Sequence, residues 1–325
     1  MGCKLTPILK TNTISFSDIK GKTVAVDGTN FLVRYISKIA HIDKNLKDHY
    51  REPISHLIGI FYFTINLMER KLRPIYVFDG MPLEEKRKVP AYHNMKLLYL
   101  WKKYHDSLHD GKYYSRGLND YAFQFDKAIV ECIEFLKLMG LPAVRAPSEG
   151  EAQASRIVRE KHAFGVLSYD YDVLLFGSKN MIKDLDFESD SLTLIKLKDN
   201  LDNLGITYKQ LVDMALLIGT DLNKGGVKGI GPKKALKLIR QYHDLETINE
   251  KIIPLEFDFR SLRSKFLDPP SFNFGPHFRY PNFQVLKSYL NGKFSKKRIE
   301  KGLTRLKKAF DFFKMQQQTI DKYFQ

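Results

Sequence analysis

The first half of the chain alternates short apolar runs with longer segments whose apolar residues recur at helical spacing. The runs at residues 22–27 and 73–79 are typical of buried strands, and each ends on an aspartate followed by glycine. Residues 54–70, between them, carry the periodicity of a helix. Strands that alternate with helices predict an α/β fold with a mostly parallel, twisted sheet flanked by helices. In such a fold the functional groups gather at the carboxyl ends of the strands.

The later elements repeat this pattern. Residues 126–139 predict an apolar helix, and residues 164–170 predict a third strand that ends on an acid. We expect the helix that starts at residues 147–149 to have Ser148 as its N-cap, with Glu151 in the capping-box position. Residues 141–144 predict a short strand, residues 192–197 an edge strand, and the chain after Tyr208 is mainly helical.

Residues 84–120 interleave basic and aromatic side chains, which distinguishes them from the core pattern. Such a segment is typical of an element that binds single-stranded nucleic acid through phosphate charge and base stacking. A surface helix pair whose aromatic side chains pack on the core fits equally well. The sequence leaves both interpretations open.

The charge balance favours a polyanionic partner. Lys and Arg number 53 against 37 Asp and Glu, a net charge of +16, and a surface this positive attracts nucleic acid. The 325 residues, 43% of them hydrophobic, can bury a substantial core. The sequence predicts neither a membrane span nor secretion, because it has no long apolar run and no signal pattern. Cys3 and Cys132 form no disulfide framework, which indicates a reducing compartment.

Seven acidic residues stand out by their positions at strand ends and helix starts. One such acid is often only a helix cap, but caps explain seven of them poorly in so basic a chain. Converging carboxylates repel one another unless cations neutralise them. Ligands that are all oxygen suit Mg²⁺ or Mn²⁺ rather than zinc, and two such ions about 4 Å apart can hydrolyse a phosphodiester. The seven are Asp27, Asp79, Glu149, Glu151, Asp170, Asp172 and Asp221.

A glycine-rich segment at residues 225–235 interrupts the helical part of the chain. Glycines let the backbone approach a phosphate closely, and free amides at a helix start favour an anion. Lys228, Lys233 and Lys234 add positive charge. We interpret this segment as a helix-hairpin-helix element that binds the backbone of duplex DNA, with a plain loop as the alternative. It is not a P-loop, because the Gly-Lys-Ser/Thr ending is absent.

Several short motifs occur along nearly the whole chain in one order. They are Val26-Asp27, Tyr76-Val77-Phe78-Asp79-Gly80, Ala146-Pro147-Ser148-Glu149-Gly150-Glu151-Ala152, Asp170-Tyr171-Asp172, Gly219-Thr220-Asp221 and Gly229-Ile230-Gly231-Pro232-Lys233. In this order the motifs resemble those of flap endonucleases, structure-specific 5′ nucleases of the XPG/Rad2 superfamily. Residues 225–228 are similar to the archaeal branch of that family.

The resemblance implies a PIN-like 5′ nuclease fold with a helical arch, and cleavage of 5′ flaps, with possible 5′–3′ exonuclease activity, in DNA replication and repair. It implies two Mg²⁺ ions at the seven acids, replaceable by Mn²⁺, and K⁺ at the helix-hairpin-helix. Lys86 matches a catalytic lysine of the arch, and Glu151 and Asp170 match catalytic acids. The arch arginine of the family falls near His93, and its stacking aromatic falls at Val33. The implied DNA-binding residues are Gly2, Arg87, Lys96, Lys228, Gly229, Gly231, Lys233 and Lys234.

The end of the chain fits a motif that binds a sliding clamp (PCNA). A glutamine is followed by an aliphatic residue three positions later and then by two aromatic residues, so one helical turn can present an apolar plug. A frayed terminal helix is the alternative. The four residues of the motif are Gln317, Ile320, Tyr323 and Phe324.

The sequence therefore predicts one catalytic unit with appended helices, acting as a flap endonuclease. A related nuclease that cuts bubbles, gaps or four-way junctions is the first alternative, and a non-catalytic DNA-binding scaffold is the second. We expect a cytoplasmic, nucleoid-associated protein if the source is archaeal, and a nuclear one if it is eukaryotic. The predicted regions are 1–98 (nuclease, with the arch from about 84), 99–120 (rest of the arch), 121–260 (nuclease, with the helix-hairpin-helix at about 208–240), 261–316 (C-terminal helices) and 317–325 (clamp-binding tail).

Overall fold

The computed structural model describes residues 3–34, 54–80 and 118–323, with the side chains of 118–124 and 315–323 left out. Several predicted functional residues therefore lie outside the described part of the chain. Gly2, Lys86, Arg87, Lys96 and Phe324 are among them, as is nearly all of the predicted arch. Gln317, Ile320 and Tyr323 lie in the last helix, where side chains are not described. Their roles stay predictions.

Seven strands of the described residues form one sheet in the order β1-β7-β6-β5-β2-β3-β4. The strands from β6 to β4 in this order are parallel, while β7 runs antiparallel to both of its neighbours, β1 and β6. The prediction of a mostly parallel sheet is confirmed. The strands are β1 (Asn12–Ser15), β2 (Thr23–Asp27), β3 (Arg73–Phe78), β4 (Ala143–Arg145), β5 (Gly165–Leu167), β6 (Asn180–Asp186) and β7 (Ser191–Lys196).

Helices cover both faces of this sheet. Helix α1 begins at residue 28 and is described to residue 34. The other helices are α2 (Ser55–Glu69), α3 (Leu118–Leu138), α4 (Gly150–Arg159), α5 (Asp172–Leu175), α6 (Leu197–Leu204), α7 (Tyr208–Ile218), α8 (Pro232–Tyr242), α9 (Leu245–Lys251), α10 (Phe259–Leu267), α11 (Phe283–Leu290) and α12 (Lys296–Tyr323). None of the helices in the described part of the chain has the length and apolar character that a membrane span needs.

The central strands are buried on both faces, which explains their continuous apolar sequences. Successive side chains of a strand point to opposite faces. In β3, Tyr76 and Phe78 belong to the core under α2, α3 and α12, whereas Ile75 and Val77 belong to the core under α4, α5 and α7. Two apolar layers therefore hold the sheet between helices and fix the positions of its strand ends.

Two predictions of local structure are wrong. The N-cap of α4 is Glu149, not Ser148, and its side chain makes no capping hydrogen bond. The Gly150 N–H instead donates to Asp79 Oδ1 at 2.6 Å, so a carboxylate from another strand satisfies the helix end. Strand β7 is not an edge strand, because β1 covers its outer side. The short β1 and the strand β6 were not predicted.

A buried ion network joins three of the C-terminal helices. The Arg263 guanidinium of α10 donates to both carboxylate oxygens of Asp213 in α7, at 2.5 and 3.0 Å. It also donates to both oxygens of Glu246 in α9, at 2.7 and 2.9 Å. Asp213 is fully buried and Arg263 is 7% exposed. This network holds α7, the first helix of the hairpin element, against the helices behind it.

Candidate metal centre and nucleic-acid interface

Asp27 is the most buried of the seven acids, at 3% exposure at the carboxyl end of β2. Its Oδ1 accepts the Asn30 N–H at 3.0 Å, and its Oδ2 accepts the Ser168 hydroxyl at 2.8 Å. Burial, and next to it the charges of Asp79 and Asp170, raise the pKa of Asp27 to about 7. The negative charge of Asp27 is therefore unfavourable in this place unless a cation is present.

Asp79 follows β3 directly and lies beside the start of two helices. Its N–H donates to Thr29 Oγ1 of α1 at 2.8 Å, and its Oδ1 accepts the Gly150 N–H of α4 at 2.6 Å. Because β2 and β3 pair in parallel register, with Asp27 opposite Val77, the two aspartates lie at the same edge of the sheet. Gly150 leaves room for this carboxylate, since an added Cβ would lie 2.8 Å from Asp79 Oδ1.

Asp170 and Asp172 complete a hydrogen-bonded chain at this edge. The Asp170 N–H donates to Ser168 Oγ at 3.1 Å, and the same hydroxyl bonds Asp27. Asp170 Oδ1 accepts the Asp172 N–H at 3.1 Å, and Asp172 Oδ1 accepts the Cys3 N–H at 2.9 Å. The beginning of the described chain thus reaches the acidic edge.

The other three acids lie on elements next to this chain of bonds. Glu149 and Glu151 flank Gly150 at the start of α4, and Glu149 is 8% exposed. Asp221 follows α7, which packs against α5, the helix that begins with Asp172. Hydrogen bonds connect Asp27, Asp170 and Asp172, while Asp79 bonds Gly150 and its charge acts on Asp27. Convergence of all seven carboxylates stays a prediction.

Carboxylate oxygens are the only candidate donors in this set of seven, which fits a hard divalent ion rather than zinc. Across residues 3–34, 54–80 and 118–323, however, no three His, Cys, Asp or Glu side chains are grouped so that they could hold one metal ion. One carboxylate oxygen each of Asp79, Asp170 and Asp172 accepts a backbone N–H. The donor chemistry and the raised pKa of Asp27 fit a divalent cation, and the carboxylates would have to turn towards it.

The glycine-rich segment forms a hairpin between α7 and α8, which pack against each other. Val227 N–H donates to the Leu217 carbonyl at 2.8 Å and closes the hairpin on α7. Gly226 has φ +51°, and an added Cβ would lie 2.4 Å from the Gly219 nitrogen, so the close approach requires glycine. Gly231 is the N-cap of α8, and Pro232 is at its first position. The predicted helix-hairpin-helix structure is confirmed.

The hairpin presents its lysines and two of its glycines outward. Lys228, Lys233 and Lys234 are exposed, and a Cβ added at Gly229 or Gly231 would meet no atom within 4 Å. Open glycines next to lysines form a surface that a phosphate backbone can approach closely.

Sequence reasoning missed four side chains at the site. Ser168 joins Asp27 to Asp170, and Thr29 accepts the Asp79 N–H. Tyr169 stacks with Arg34 of α1, whose guanidinium lies 3.4 Å from the ring centroid. Thr29 and Ser168 lie within two residues of a strand-end aspartate, a position where a hydroxyl can bond a neighbouring strand end. This closeness in sequence to an aspartate is the signal from which the roles of Thr29 and Ser168 could have been predicted.

Comparisons with known proteins show which family the chain resembles. The XPG N-terminal domain family model matches residues 1–94, and the XPG I-region model matches residues 140–221. Flap endonuclease 1 of Methanococcus aeolicus is 34% identical, over 100% of both chains. Among solved structures, flap endonuclease-1 from Methanococcus jannaschii has a TM-score of 0.74 and 30% identity, covering 95% of this chain and 98% of that one.

A further solved structure shares the fold. The catalytic core of Rad2, solved in complex with a DNA substrate, matches with a TM-score of 0.68 and 21% identity, over 93% of this chain and 96% of that one. The fold matches confirm the predicted PIN-like architecture. The sequence matches run through both family models and along the whole chain, and so confirm the resemblance seen in the motifs. The chain therefore belongs to the flap endonuclease family of the XPG/Rad2 superfamily, structure-specific nucleases that hydrolyse phosphodiester bonds.

Proposed function

We propose that this protein cleaves 5′ flaps in DNA with two divalent metal ions bound at the acidic edge of its sheet. The observation that carries the proposal is the state of Asp27. It is a buried carboxylate whose pKa is raised to about 7 by burial and by Asp79 and Asp170. Such a cluster becomes stable when a cation neutralises it. Nucleases of this family depend on divalent metal ions.

The proposed ligands are the seven acids, with Mg²⁺ as the ion and Mn²⁺ as its substitute. When bound, two such ions activate a water and stabilise the leaving oxygen of a phosphodiester. The protein contributes the directions of the ligands. The bond from Gly150 to Asp79 sets the start of α4, which carries Glu149 and Glu151. Ser168 sets the distance between Asp27 and Asp170. Lys86, outside the described residues, would stabilise charge on the cleaved phosphate.

The DNA duplex would bind along the hairpin between α7 and α8. Lys228, Lys233 and Lys234 would contact phosphates without reading sequence, and K⁺ would bind at the hairpin backbone. The net charge of +16 supports this assignment. The Rad2 core, which has the same fold, was solved with a DNA substrate.

A sliding clamp would bind Gln317, Ile320, Tyr323 and Phe324, and the protein would work in the cytoplasm at the nucleoid. The support for the clamp is the spacing of these residues, which a helix can present as one apolar surface. Helix α12 runs to Tyr323, so three of the four residues lie in a helix.

Replacing Asp170 tests the catalytic assignment. Asp170→Ala is expected to abolish Mg²⁺-dependent cleavage of a labelled double-flap substrate and to leave flap binding within about threefold, because binding depends mainly on phosphate contacts elsewhere. Asp202→Ala is the matched control, since Asp202 is an exposed acid of α6 that pairs with Lys198. Cleavage by Asp170→Ala at the rate of the control would reject the assignment. A panel of flap, bubble, gapped and four-way substrates would distinguish flap cleavage from the activities of related nucleases.

A further inference from the structure

A tyrosine ring and a guanidinium lie together beside Asp170. The Arg34 Cζ atom is 3.4 Å from the centroid of the Tyr169 ring, close enough for direct stacking. Arg34 is exposed and Tyr169 is half-buried. Tyr169 directly precedes Asp170 in the chain, and adjacent Cα atoms are about 3.8 Å apart. The Tyr169 ring therefore starts one residue from the acidic edge.

Packing of the core does not explain Tyr169. Neither apolar core of the described residues contains it, whereas Tyr171, two residues later, packs against one of them. Arg34 takes part in none of the ion pairs found among the described residues. A large ring stacked with an exposed cation beside a cluster of acids is typical of contacts to a ligand.

The position of the pair is set by the same bonds that organise the acids. Tyr169 lies between Ser168, which bonds Asp27, and Asp170, whose N–H bonds the Ser168 hydroxyl. Arg34 lies on α1, whose start is tied to Asp27 and Asp79 through Asn30 and Thr29. The same hydrogen bonds therefore place the stacked pair beside the acidic edge.

A second cation and ring are Lys183 and Tyr171, and Tyr171 directly follows Asp170 in the chain. Lys183 Nζ is 3.3 Å from the Tyr171 hydroxyl and 4.8 Å from the centroid of its ring. An irregularity in the pairing of β6 with β7 between Lys183 and Asp186, with φ +50° at Asp184, redirects the strand at this point. A tyrosine thus precedes and another follows Asp170 in the chain, and each ring has a cation against it.

We propose that Arg34 and Tyr169 form a stacking platform for a nucleobase of the cleaved strand, next to the scissile phosphodiester. A guanidinium held flat on a ring offers its outer face to a base and its N–H edge to the phosphate of the same nucleotide. Stacking on such a surface is independent of base identity, as a nuclease that recognises shape requires. The inference rests on the proposed function, because the occupant is the strand that is cut.

Abasic substrates test the platform directly. Single abasic sites are placed in turn at the four nucleotides around the cleaved bond of a flap substrate, and kcat/KM is measured for each. The wild-type protein is expected to lose about tenfold at one position, the value of one stacked base. Arg34→Ala and Tyr169→Leu are expected to lose a similar factor in kcat/KM with the intact substrate. An abasic site at the sensitive position is expected to cause no further loss in these variants. Tyr169→Phe, which keeps the ring, is expected to keep the dependence on the base.

Arg34→Lys separates stacking from charge. It keeps the positive charge but loses the planar group, so it is expected to behave like Arg34→Ala. Lys71→Ala is the matched control, because Lys71 is a cation 4.1 Å from the Phe312 ring centroid, beside the amino end of β3 at the opposite edge of the sheet. It is expected to show the wild-type pattern.

Three results would overturn the platform. The first is a loss of kcat/KM for Arg34→Ala that adds to the loss from the abasic site at every position. The second is wild-type behaviour of Arg34→Lys, and the third is full activity of Arg34→Ala. Thermal unfolding of each variant distinguishes a local effect from misfolding. A wild-type protein that fails to cut the intact flap would reject the proposed function itself, and the two failures are therefore distinguishable.

Discussion

The ion network around Arg263 gives the sharpest test of how the C-terminal helices are held. Asp213 is fully buried, and Arg263 is its ion-pair partner at 2.5 Å. Replacing Arg263 with methionine leaves the Asp213 carboxylate in the core without its ion-pair partner. Breaking a buried pair in this way costs about 3–5 kcal/mol. The native state as a whole is stable by only about 5–15 kcal/mol, so the loss is a large fraction.

The expected change in melting temperature follows from chain length. An unfolding entropy of about 2.1 cal/mol/K per residue, taken over 325 residues, gives roughly 0.7 kcal/mol/K. Arg263→Met should therefore lower Tm by about 4–7 °C at pH 7.

The pH dependence has a definite sign. Burial raises the pKa of Asp213 even with Arg263 present, and Arg263 opposes that shift. In Arg263→Met the opposing charge is gone, so the protonated form is favoured further in the folded state. The free energy of unfolding of the variant should then fall as pH rises from 5 to 8. The guanidinium also lowers the pKa of Glu246 to about 2, a contribution lost together with Arg263.

Denaturant unfolding at pH 5 and pH 8 measures both effects. Adding Asp213→Asn to Arg263→Met removes the buried charge and should recover at least half of the loss. Lys198→Met is the control, because Lys198 and Asp202 form an exposed pair and the midpoint should not move. A loss for Arg263→Met below about 1 kcal/mol, or one of equal size at both pH values, would show that Asp213 is not a buried charge in need of a partner.

Other predictions concern the metal centre, the hairpin and the tail. In metal-free protein the pKa of Asp27 is raised to about 7. The free energy of unfolding should therefore fall by up to about 4 kcal/mol as pH rises from 4 to 8, and Mg²⁺ or Asp27→Asn should offset this loss. Urea titrations in EDTA measure the change. Gly226→Ala should destabilise by more than about 2 kcal/mol, because its Cβ meets backbone. Gly229→Ala, which meets only open space, should cost about 1 kcal/mol; equal losses in thermal unfolding would contradict the close approach. Deleting residues 317–325 should abolish stimulation of cleavage by the clamp and spare basal cutting; equal stimulation would reject the clamp motif.

The sequence determined the sheet and its acidic edge. Apolar periodicity is a local property, so β2, β3, β5 and α2 could be predicted from it. A parallel sheet brings its strand ends to one edge, which is why Asp27 and Asp79 were expected to be neighbours. The order of the motifs was sufficient to indicate the family. Predictions failed where the hydrogen-bond partner of a group comes from elsewhere in the chain. Ser148 fits an N-cap locally, but the Gly150 N–H donates to the Asp79 carboxylate instead.

Only the tertiary structure decided which side chains meet. Arg263 lies 50 residues from Asp213, and Ser168 lies 141 residues from Asp27. The stacking of Arg34 on Tyr169 likewise leaves no local pattern. Hydrogen bonds and charge interactions depend on distances of a few ångströms through space, and packing of the two apolar cores on the sheet sets those distances. Periodicity along the chain carries no information about them.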